Sequence, residues 1–152
     1  MKKMNILMIA GGLALVLAGA AAAYAFGSRQ LPASGAATVN VTLGGVAGQK
    51  GALMGAICNK DSFLKDCQYF AVQPAIAGNV LKFPSVAPGS YAVMVYHDEN
   101  VNGKLDKSAS GMPLEGWGFS RNARGHYGPP AFEDARIEIK AGANDIALDM
   151  VY

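Results

Sequence analysis

Residues 90–97 (SYAVMVYH) alternate strictly, with Tyr91, Val93 and Val95 on one face and Ala92, Met94 and Tyr96 on the other. This period of two, built from aromatic and β-branched residues, predicts a strand. Six other segments read the same way. Residues 38–43 put Val39, Val41 and Leu43 on one face, and 52–58 form a short apolar run after Gly51. Residues 68–72 and 79–83 are bounded by Pro or Gly, and 136–140 and 145–151 flank an Ala-Gly-Ala-Asn turn at 141–144. Nowhere does an amphipathic helical pattern run for three turns. Seven short strands in residues 37–152 need two packed layers to bury their apolar faces. The expectation is an all-β, seven-stranded antiparallel β-sandwich.

The N-terminus belongs to a different class of sequence. Lys2 and Lys3 precede residues 6–25, which contain only Ile, Leu, Met, Val, Ala, Gly and Tyr. A cationic start, an apolar run and the small-x-small triplet Ala23-Tyr24-Ala25 read as a signal peptide over 1–25, cleaved after Ala25. An uncleaved leader is long enough to span a bilayer, since about 20 apolar residues suffice. Either way the domain is placed outside the cytoplasm, periplasmic or secreted. No cysteine lies in or just after the leader, which argues against a lipoprotein anchor. Residues 26–36 lack periodicity and read as a linker.

Charge excludes more than it identifies. The formal net charge is +2, with 11 Asp and Glu in all. Without Lys2 and Lys3 the remaining Lys and Arg equal those acids, so no basic surface for nucleic acid is expected. A chain that is 51% hydrophobic and 16% charged is also unlike a disordered one.

Residues 98–133 break the strand pattern, with six Gly, three Pro and no clear strand. A loop this long inside a compact domain is usually functional or disordered. Its aromatic residues, Trp117, Phe119, Tyr127 and Phe132, predict that it is ordered. Its first nine residues suggest what orders it. In 98–106 (DENVNGKLD), Asp98, Asn100, Asn102 and Asp106 carry oxygen at alternate positions, and Gly103 stands sixth, where a calcium loop turns sharply. Lys104 stands seventh, where only a backbone carbonyl is used. A hard cation takes six to eight oxygens at about 2.3–2.6 Å, and alternate side chains of a wound loop point inward. The twelfth position is Ala109 rather than Glu, so Glu115 is the candidate to complete the shell. Calcium is therefore the expected ion, at the weak end of its range. A run of Asx turns that cap their own backbone is the plainer alternative.

Cys58 and Cys67 are an even pair in an exported chain and predict a disulfide. His97 and His126, the two histidines, together with Glu115 could form a transition-metal or acid–base site. No Gly-x-Ser-x-Gly nucleophile motif is present. Trp117 and Tyr127 sit among glycines and could form a sugar-binding platform.

Three sets of residues together resemble a family. They are 97–106 (HDENVNGKLD), 111–123 (GMPLEGWGFSRNA) and 128–135 (GPPAFEDA), preceded by 88–93 (PGSYAV). They look like the bacterial family called domain of unknown function 2141, over nearly all of the exported part. The resemblance implies an exported single-domain β-sandwich and supplies no catalytic residues. The Pro88-Gly89 turn before Tyr91 also resembles transthyretin-like sandwiches, and the strand count fits an immunoglobulin-like arrangement. The leading expectation is thus a non-enzymatic exported domain whose calcium loop orders a surface for a protein or glycan partner. The alternatives are a carbohydrate- or small-ligand-binding module using Trp117 and Tyr127, and a metal-dependent hydrolase.

Overall fold

The computed structural model describes residues 35–152. The leader at 1–25 and most of the linker at 26–36 lie outside them. Eight strands follow one another: β1 (Ala37–Gly44), β2 (Ala52–Cys58), β3 (Tyr69–Pro74), β4 (Val80–Val86), β5 (Gly89–Asp98), β6 (Trp117–Phe119), β7 (Arg136–Ile139) and β8 (Gly142–Asp149). One short helix, α1 (Phe132–Ala135), and 3-10 turns at Ala75–Ala77 and Ser120–Asn122 complete the elements.

The strands form two sheets, ordered β4-β1-β8 and β3-β2-β5-β6, with β7 also paired to β5. Their inner faces share one core. Val39, Val41, Leu43, Leu81, Phe83 and Leu148 come from the small sheet, and Leu53, Ile57, Tyr91, Val93, Val95 and Ile139 from the large one. The alternation in β1 now has its cause, because Ala37, Val39, Val41 and Leu43 all face this core. The sheets approach closely where β2 has Gly55. A Cβ there would lie 2.6 Å from Leu81 Cδ1 and 3.2 Å from Phe83 Cζ, so a larger residue would push the layers apart.

Three expectations need correction. There are eight strands rather than seven. The pattern is not wholly antiparallel, because β1 and β8 run parallel from Ala37↔Gly142 to Gly44↔Asp149. Finally, 98–133 is not one loop, since it contains β6 and the start of α1. The extra strand follows from the length of β5. Ten residues long, β5 pairs β7 at Gly89 to Ala92 and β6 at Met94 to Tyr96, so two short strands share one edge. Val93 lies in the gap between them. Its N–H donates to Ser120 Oγ at 2.9 Å, and the fully buried Ser120 hydroxyl also donates to the Ala135 carbonyl.

A second apolar cluster covers one end of the large sheet's outer face. The rings of Phe119 and Phe132 meet Phe63 edge-on at 6.0 and 5.7 Å, over Ala56 and Ala92. The Cys58–Cys67 disulfide, with Cα atoms 4.5 Å apart, closes the segment that carries Phe63. Packing thus holds the 117–135 part of the long excursion. Its first part is held by hydrogen bonds.

Candidate functional site

β5 ends at Asp98, and the chain then turns back through 99–106 around that residue's carboxylate. Asp98 is 1% exposed. Its Oδ1 accepts the Asn102 N–H at 3.0 Å and its Oδ2 accepts the Gly103 N–H at 2.7 Å. Gly103 has φ +77°, a left-handed conformation that glycine enters without a Cβ penalty. Two Asx turns tighten the loop, with Asn100 Oδ1 accepting the Asn102 N–H at 3.0 Å and Asn102 Oδ1 accepting the Lys104 N–H at 2.9 Å. The amide groups of both Asn residues converge on Asp106. Asn100 Nδ2 donates to its Oδ2 at 2.6 Å, and Asn102 Nδ2 donates to both oxygens at 2.9 and 3.0 Å.

Glu115 braces the loop across its two ends. Its Oε1 accepts the Glu99 N–H at 3.0 Å and its Oε2 the Asp106 N–H at 2.9 Å. At 6% exposed it is nearly as buried as Asp98. Among the described residues neither carboxylate pairs with Lys or Arg; the ion pairs there join Glu133 to Lys60 and Arg136, and Glu138 to Arg136. Both carboxylates are hydrogen-bonded there only by backbone N–H groups. The carboxylates' field reaches Tyr96, whose hydroxyl pKa is raised by burial first and then by the charges of Asp98 and Glu115.

His97, fully buried, has both ring nitrogens committed. Nε2 lies 2.7 Å from the Lys50 carbonyl, which can only accept, so the network puts a proton on Nε2. Nδ1 lies 2.7 Å from the Tyr152 hydroxyl, whose oxygen also accepts the Ala47 N–H at 2.9 Å. Burial raises the Tyr152 hydroxyl pKa, and the Glu99 charge adds to the rise, while the Ala47 bond opposes it. The ring is a structural tie between the base of β5, the 45–51 turn and the end of the chain. His97 stands out in the sequence, whereas Tyr152, Ala47 and Lys50 do not, because a backbone carbonyl and a hydroxyl 55 residues away leave no local pattern.

The remaining candidates are scattered. Trp117 has the Arg124 guanidinium 5.1 Å from its ring centre and Phe119 against it edge-on. Tyr127 is fully exposed and, among the described residues, pairs with no other ring. Among the described residues no three His, Cys, Asp or Glu side chains are grouped so as to hold a metal, so His97, His126 and Glu115 do not share a centre. Asp98, Asn100, Asn102, Lys104 and Asp106 do come together, with Asn amides and the loop backbone supplying the polar groups between the carboxylates.

The fold and this loop define a class: a two-sheet, all-β domain stapled by one disulfide, with an acidic turn at the end of its longest strand. The family described as an uncharacterized protein conserved in bacteria, domain of unknown function 2141, matches residues 41–147. The chain belongs to that family. No curated protein and no solved structure matches it.

Proposed function

We propose that this protein is an exported, non-enzymatic β-sandwich domain whose 98–106 loop binds calcium and so fixes a surface for a protein or glycan partner. The observation that carries the reading is the pair of buried carboxylates, Asp98 and Glu115, that pair with no cationic side chain among the described residues. Burying charge is costly unless it is compensated, and backbone N–H groups supply only partial charges. A divalent cation adds the missing compensation. Asp98, Asp106, the side-chain oxygens of Asn100 and Asn102, and the Lys104 carbonyl are the groups that would hold it, with Glu115 bracing the loop. Each carboxylate oxygen has two lone pairs, so the oxygens of Asp98 still have acceptor capacity beside their backbone bonds.

Export is supported by the cationic, apolar leader and by the disulfide, since such bonds persist in oxidising compartments. Calorimetric titration with calcium tests the central reading. The expected dissociation constant lies at the weak, extracellular end, about 10⁻⁴–10⁻³ M, and Asp106→Ala should abolish the heat. A flat titration at millimolar calcium would overturn it.

A further inference from the structure

We propose that the peptide between Asn102 and Gly103 is a self-modification site, where the folded loop converts Asn102 to aspartate or isoaspartate. This is the chain's one Asn-Gly dipeptide. An asparagine side chain followed by glycine is open to attack by the next backbone nitrogen, because glycine has no Cβ to block the approach. Nothing lies within 4 Å of where a Cβ on Gly103 would stand, and both residues are exposed, so water reaches them.

The loop supplies three further elements of a catalysed step. The nucleophile is the Gly103 nitrogen, and its N–H points at Asp98 Oδ2 at 2.7 Å, within the reach of a general base. The electrophile is Asn102 Cγ. Its Oδ1 accepts the Lys104 N–H at 2.9 Å, which curls the side chain over its own following peptide and stabilises charge developing on that oxygen. The leaving nitrogen, Nδ2, is held by the Asp106 carboxylate at 2.9 and 3.0 Å. Asp98 Oδ1 meanwhile grips the Asn102 N–H, so one rigid carboxylate fixes the peptides on both sides of Asn102.

The reaction balances without a redox partner. The bond from Gly103 N to Asn102 Cγ forms as the bond from Cγ to Nδ2 breaks. The Asp98 carboxylate takes the Gly103 amide proton, and the departing nitrogen gains one in exchange through water at the exposed Asn102 side chain and leaves as ammonia. One water then adds to either carbonyl of the five-membered imide, opening it to aspartate or isoaspartate. Asn100 is an internal contrast. It is followed by Val101, whose side chain crowds the attacking nitrogen, and no carboxylate takes the Val101 N–H among the described residues.

The test is a time course on the full chain, folded in neutral buffer and unfolded in urea, followed by peptide mapping that separates isoaspartate. A chelator in both arms keeps the outcome independent of the calcium reading. Asn102 should gain about 1 Da at least about tenfold faster in the folded chain, with Asn100 unchanged. Asp98→Asn should bring the folded rate down to the unfolded one. Equal or slower conversion in the folded native sequence would overturn the proposal, as would an Asp98→Asn variant that folds and reacts at the native rate.

Discussion

At the scale of single residues, Ser120 and Tyr152 are the side chains whose loss the fold should feel most for their size. Ser120 fills the gap between two half-length strands on the edge of β5, accepting the Val93 N–H and donating to Ala135. Ser120→Ala leaves a buried N–H without a partner, which costs about 1–3 kcal/mol in chemical denaturation. Tyr152 joins Ala47 to His97 through one hydroxyl. Tyr152→Phe strands the Ala47 N–H and His97 Nδ1 and should cost about 1–2 kcal/mol. The pKa directions give the accompanying pH dependence. Burial raises the hydroxyls of Tyr91, Tyr96 and Tyr152 in the folded chain. Their contribution is fully present below the ordinary tyrosine value near pH 10 and is lost as pH rises through the raised values. The melting midpoint should therefore fall steeply above about pH 10, and less steeply in Tyr152→Phe.

At the scale of elements, what was legible in the sequence depended on how local its cause is. β1, β2 and β5 declare themselves because period-two alternation or an unbroken apolar run reflects burial at each residue. β6 does not. It is three residues long with a glycine in the middle, and it is a strand because β7 leaves half of β5's edge vacant. The parallel pairing of β1 with β8 is equally silent, since residues more than 100 apart must meet, as Asn40 and Asp145 do. The start of β8 has the sequence of a turn, and Asn144 explains why, because its side chain closes onto Lys140 and Gly142 in turn fashion while its backbone already pairs β1. The disulfide was legible from cysteine count alone. Replacing Cys58 and Cys67 together by Ala should lower stability by about 2–3 kcal/mol on the chain-entropy view. It should also loosen Phe63 from Phe119 and Phe132, visible as lost near-ultraviolet circular dichroism.

At the scale of the whole molecule, the two sheets and the loop are one construction. The end of the chain crosses from the small sheet to the large one, where Val151 and Trp117 exchange backbone hydrogen bonds at 2.8 and 2.9 Å. Tyr152 then reaches His97, the residue before Asp98. The acidic loop therefore stands on a corner tied to both sheets, and Glu115 returns from just before β6 to brace it. The candidate ligands at 98–106 were legible because their alternation is local, whereas the scaffold that holds them is assembled from segments at 47–50, 115 and 152. A cation bound there only in the folded state must stabilise the whole domain. Thermal unfolding in calcium against chelator tests this most directly. At a calcium concentration 100 times its dissociation constant, stability should rise by about 2.7 kcal/mol, and Asp106→Ala should remove the difference. An identical midpoint with calcium and with chelator, in the native chain and in Asp106→Ala alike, would contradict the account.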